Sequence, residues 1–84
     1  MKYVMFSIRD NKAAVFMPPF HSHNRGTAIR SIQQNMLDEN SSLAAYPEDF
    51  DLFEIGTFDD ETGSLEVGLI ESLGPVSNFN IKKD

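Results

Sequence analysis

Two imidazoles stand one residue apart in "FHSHNRG", His21 and His23. An extended backbone would turn both to one side, a spacing that serves metal ions when a third ligand joins. No third ligand is evident nearby in sequence, so local hydrogen bonding is the expected role and no metal is assigned. Beside Arg25, the two rings, when protonated, would instead add positive charge to a phosphate site. A second candidate is "DDETGS", Asp59 to Ser64. It lacks the alternating oxygen positions and the distant bidentate Glu of a calcium loop, and a hairpin turn accounts for it. Catalysis finds no footing. There is no Cys, no glycine-rich phosphate loop and no nucleophile elbow. Ser7, His21 and Asp10 can be drawn as a triad, but almost any chain of this length permits one. Asp59 and Asp60 fall in an expected exposed turn, where burial cannot tune a carboxyl. No enzyme activity and no cofactor are expected.

The basic residues offer more. Arg9 and Lys12 flank the first turn, Arg25 opens the expected helix, Arg30 lies one turn in, and Lys82 and Lys83 end the chain. Phe20, Phe16 and Tyr3 are near them in sequence. Single-strand binders join a positive groove to aromatic platforms, because every base has a face and every phosphate a charge. Helix N-termini add partial positive charge. The candidate nucleic-acid contacts are therefore Arg9, Lys12, Arg25, Arg30, Lys82, Lys83 and Phe20. The competing reading makes these scattered solubilising charges and core aromatics.

Charge is distributed unevenly. The net charge is −6. Residues 1–30 hold five Lys or Arg against Asp10 alone; residues 31–81 hold eleven carboxylates and no Lys or Arg. A uniformly acidic protein is repelled by phosphate, whereas a polar one can present a basic face or pair with itself. The stretch "PEDFDLFEIGTFDDETGSLE" concentrates the acid beside large apolar residues.

The elements that would position these groups follow from periodicity. "KYVMFSI" reads as a strand, with Tyr3, Met5 and Ser7 on one face and Val4, Phe6 and Ile8 on the other. "RDNK" is a turn, Lys12–Met17 a second strand, and Pro18-Pro19 its stop. "FHSHNRG" is a loop. "GTAIRSIQQNMLDEN" is the main helix, with an apolar stripe through Ala28, Ile29, Ile32, Met36 and Leu37 and a cap at Asn24 or Thr27. Ser41 or Ser42 starts a further turn before Pro47. "DFDLFEIGTF" is a strand with apolar groups on both faces: Phe53 and Ile55 on one, Phe50, Leu52 and Phe58 on the other. "SLEVGLIE" returns from a turn at Gly63, with Leu65, Val67 and Leu69 inward. The expected fold is α+β, ββαββ: a four-stranded, mostly antiparallel sheet with one main helix packed on one face by Ile29, Ile32 and Met36. The expected domain is 1–74, with 75–84 a C-terminal tail holding a short extended piece at Phe79–Ile81.

Taken together, "SIRDNKAAVFMPPF", "GTAIRSI" and "PEDFDLFEIGTFDDETG" resemble the small nonstructural protein of gokushoviruses, tailless single-stranded DNA phages of the microvirus group. The resemblance runs in order over nearly the whole chain, except the last ten residues. It implies a non-capsid protein that acts on viral DNA, in single-strand synthesis or genome packaging. The family brings no catalytic motif, and no site residue is carried over from it. The expected partner is DNA, single-stranded and bound without sequence specificity, with viral replication or capsid proteins as further partners. The alternative is a protein-interaction adaptor or assembly aid working through the acidic surface and self-association.

Size bears on assembly. A chain of 84 residues buries only roughly 60–65% of its unfolded surface, and without cysteine no disulfide supports it. A homodimer or higher oligomer is expected. No apolar run reaches the ~20 residues that span a bilayer, and the start lacks signal-peptide character. The expected location is the host cytoplasm, with no membrane partner.

Overall fold

The computed structural model describes residues 1–80. Strand β1 (Lys2–Asp10) is flanked on one edge by β2 (Val15–Phe16) and β3 (Phe20–Ser22), and on the other by β4 (Phe50–Asp59). Strand β5 (Ser64–Pro75) pairs antiparallel with β4 and closes the order β2-β1-β4-β5. All pairings are antiparallel. Helix α1 (Arg25–Met36) crosses one face, followed by the short α2 (Ser42–Ala45) and a 3-10 turn at Pro47–Asp49. This is the expected α+β layout, with the second strand divided in two.

The division has a local cause. Pro18 and Pro19 cannot donate to a ladder, so the strand breaks there and resumes at Phe20, within what reads in sequence as a loop. The break leaves the Met17 carbonyl without a ladder partner. The buried Ser7 hydroxyl donates to it at 2.7 Å, while Met17 N–H still reaches the Ile8 carbonyl at 2.7 Å. Lys12 and Ala13 belong to the turn rather than to β2. Asp10 Oδ1 accepts from both their backbone N–H groups, at 3.0 and 3.1 Å, and Ala14 takes a left-handed φ of 58°.

Helix α1 starts where its capping chemistry sits. Asn24 accepts from Thr27 N–H at 2.9 Å, and Thr27 Oγ1 accepts from Asn24 N–H at 3.2 Å. This reciprocal capping box satisfies two amides that the first turn otherwise leaves open. Both expected capping residues therefore act, one in each direction. Ser41 caps α2 one way only, its hydroxyl accepting from the Leu43 and Ala44 amides. The helix buries Ala28 and Ile32 and packs Ile29 and Met36 against Phe6, Ile8, Phe50 and Leu52 of the sheet.

The chain beyond Pro75 is part of this core. Val76 is fully buried and Phe79 packs against it, on a 3-10 turn at Val76–Phe79. The expected extended piece is absent at Phe79, and Ile81 lies outside the described residues. Apolar burial outweighs strand propensity here, because Val76 and Phe79 seal the bottom of the helix layer.

A bulge sets which side chains share a face. Between Met5/Gly56 and Phe6/Glu54 the register shifts, so β4 carries one extra residue, Ile55. A single inserted residue reverses alternation beyond it. Phe58, expected on the face of Phe50 and Leu52, therefore lies with Phe53 and Ile55. At the same place β4 and β5 approach so closely that a Cβ on Gly56 would overlap the Glu66 carbonyl oxygen. Gly56→Ala is expected to destabilise the fold by about 1–3 kcal/mol, checked by urea unfolding. An unchanged midpoint would show that the strands can part at no cost.

Strand β5 departs most from expectation. Leu65, Val67 and Leu69 do not point into a core: they are 66%, 85% and 89% exposed. Position explains it. Leu65 and Val67 pair with Phe58 and Gly56, so they face the side of the sheet opposite α1, on an edge strand that no second layer covers among the described residues.

Candidate nucleic-acid interface

The sheet has one covered face and one open face. Directly paired residues share a face, so the pairing of Ser7 with Phe53 and of Ile8 with Leu52 separates the two sets. Below the helix lie Val4, Phe6, Ile8, Phe50 and Leu52. On the open face lie Tyr3, Met5 and Arg9 of β1, Phe16 of β2, His21 of β3, and Phe53, Ile55 and Phe58 of β4. Shallow apolar grooves of about 310 and 190 Å³ run along it past Pro19, Ile55 and Val67.

Two ring clusters stand on this face. At one end the Arg9 guanidinium lies over the Phe16 ring, 5.8 Å from its centroid, within cation–π range. Phe16 meets Phe53 edge-to-face at 5.1 Å. Arg9 also donates to Asn11 Oδ1 at 2.8 Å, which holds it toward the turn carrying the exposed Lys12. At the other end Tyr3 meets His21 at 5.1 Å and His23 at 5.3 Å between centroids. The imidazoles are thus beside a phenol and on the side of the sheet away from Arg25, not in a shared phosphate site with it. Among the described residues no group of three His, Cys, Asp or Glu side chains converges as a metal site.

The carboxylates occupy other surfaces. Glu54, Asp59, Glu66 and Glu71 alternate to the helix side of the sheet. Asp60 and Glu61 sit at the hairpin turn. Asp38, Glu39, Glu48 and Asp49 belong to the helical layer. Alternation leaves Asp51, across from Arg9, as the carboxylate on the open face among the described residues.

The structure sorts the sequence-derived candidates. Arg9 and Lys12 come together at the open face's end. Arg30 is exposed on α1, on the opposite layer. Arg25 is occupied: its Nε donates to Glu54 at 2.6 Å and its Nη2 to Glu71 at 3.2 Å. Glu54 and Glu71 pair directly across β4 and β5, a like-charge juxtaposition that destabilises a sheet. Arg25 offsets it, and the hydrogen bond to Glu54 raises the guanidinium further above its ordinary range. Phe20 does not offer a free ring. It is half-buried and stacks on Phe6 at 5.8 Å, because the strand after Pro19 pairs Phe20 with Phe6 beneath the helix. Lys82 and Lys83 lie outside the described residues. Phe53, absent from those candidates, shares the open face with Arg9 and Phe16. The signal was the odd-numbered alternation of β1 through Arg9, extended to its hairpin partner.

Arg25→Gln is expected to lower Tm, with a smaller loss at high salt, because two facing carboxylates lose their common counterion. An unchanged Tm would show that the two facing carboxylates need no counterion.

A family model described as Phage ORF5 protein matches residues 3–79. No curated protein matches the chain, and no solved structure does.

Proposed function

We propose that this chain, which belongs to the Phage ORF5 protein family, is a small phage protein that binds single-stranded nucleic acid on the open face of its sheet. Within that family its quoted segments favour the gokushovirus small nonstructural proteins, and so a role in viral single-stranded DNA synthesis or packaging in the host cytoplasm. The role is one of binding, with no chemical step.

One observation carries the reading: rings and cations share the open face, while nearly all the carboxylates stand elsewhere. Bases would stack on Phe16 and on the Tyr3–His21–His23 cluster, and phosphates would meet Arg9 and Lys12. Stacking accepts any base, so binding would be sequence-tolerant. The acidic side would repel a second strand and turn this face toward the first.

Fluorescence anisotropy with labelled oligothymidylate tests it. Affinity should fall with salt at a log–log slope of about −1.4, two phosphate contacts at ~−0.7 each. Absence of binding at about 50 mM salt, or affinity indifferent to salt, removes the reading. A second reading draws on the far hairpin, where Asp59 and Glu66 surround Lys2 in one shallow pocket: an adaptor docking a basic protein surface. Co-purification of a stoichiometric protein free of nucleic acid would favour it.

A further inference from the structure

We infer that β5 is a self-association edge, where a second copy of this chain pairs its own β5 antiparallel and joins the two sheets into one. Among the described residues β5 pairs only with β4, so a twelve-residue strand presents a row of unpaired backbone groups. Proteins that stay monomeric blunt such edges with Lys, Pro or inward charge. This strand has no Lys, its Pro stands at the last position, Pro75, and its register shifts against β4 lie beyond Val67, so Ser64–Val67 is the regular stretch of edge.

The side chains match the backbone. Leu65, Val67, Leu69 and Ile70 are 59–89% exposed on this one strand, an apolar concentration that marks an interaction surface rather than a solvated edge. A strand meeting its own copy is self-complementary about a two-fold axis. With that axis perpendicular to the sheet, Leu65, Val67 and Ile70 of both copies converge on the open face. Charge permits the approach: β5 carries only Glu66 and Glu71, and Arg25 already holds Glu71. The same axis keeps both open faces on one side, giving a double-length surface. That last consequence rests on the nucleic-acid reading; the pairing itself does not.

The test uses the full chain without nucleic acid, by sedimentation velocity and amide hydrogen exchange. A dimer at micromolar concentration is expected, with β5 amides protected on dilution into D₂O. Val67→Lys and Leu69→Lys should each give a monomer with unchanged circular dichroism, because neither side chain supports the fold. Protection of β5 should then fall while that of β1 persists. A wild-type monomer overturns the inference. So does a dimer that survives both substitutions, or one whose β5 amides exchange as fast as those of the variants. In a separate titration, absence of oligothymidylate binding by a protein that dimerises in this way would count against the nucleic-acid reading alone.

Discussion

Phe6→Ala should cost about 3–5 kcal/mol, a large share of the ~5–15 kcal/mol that holds a domain folded. Phe6 is fully buried. Its ring stacks on Phe20, and it sits in one cluster with Ala28, Ile32, Leu52 and Val76. Truncation removes the transfer energy of the ring and leaves a cavity that three elements must collapse to fill. A chain of 84 residues has no second core to compensate. The expected result is a Tm lowered by more than about 10 °C, or a population unfolded at 37 °C. Leu69→Ala is the contrast. Its side chain is 89% exposed, so it should shift stability by no more than about 0.5 kcal/mol. Equal losses from the two substitutions would mean that the helix does not pack as described.

The second large effect concerns the open face. Arg9→Glu combined with Lys12→Glu should abolish binding to oligothymidylate at moderate salt. Each change would replace a proposed phosphate contact with a repulsion, at the end of the sheet where Asp51 is already present. Phe16→Ala should weaken binding by about 1–3 kcal/mol, roughly 5- to 150-fold, if one base stacks there. Phe16 is 47% exposed, so its loss costs little stability. Lys12→Gln, in the exposed turn, should lower the salt slope by about 0.7 without altering Tm. Affinity unchanged in all three variants would detach nucleic acid from this face.

How far the sequence carried this picture depends on the scale of each signal. Tyr3 through Ile8 alternates without interruption, so both faces of β1 were legible. Asn24 and Thr27 announced the helix start, since capping is local chemistry. The joining of Phe58 to Phe53 was not legible. It follows from the single extra residue at Ile55, which is defined only by pairing with β1. Exposure of Leu65, Val67 and Leu69 was hidden for another reason. Their alternation is that of a buried strand, and only the pairing with β4 shows Leu65 and Val67 on the uncovered face of an edge strand. Phe20 looked like an exposed platform because "FHSHNRG" reads as a loop near basic residues, yet the strand resumes after the prolines and draws its ring under the helix. Arg25 looked free because Glu54 and Glu71 are far away in sequence.

The acidic stretch from Pro47 to Glu66 takes its meaning from the same geometry. Its apolar residues divide between the core, at Phe50 and Leu52, and the open face, at Phe53, Ile55 and Phe58. Its carboxylates go to the helix side and the turn, apart from Asp51. An overall charge of −6 is therefore compatible with a ring-bearing surface that carries Arg9 and Lys12 and keeps most of the carboxylates elsewhere.

The most direct measurement is amide and aromatic chemical-shift mapping of the full-length protein titrated with oligothymidylate at low salt. The account predicts that perturbations concentrate at Tyr3, Arg9, Lys12, Phe16, His21 and Phe53, reverse on addition of salt, and spare α1. Perturbations confined to α1 or to the acidic hairpin turn, or none at saturating oligonucleotide, would contradict it.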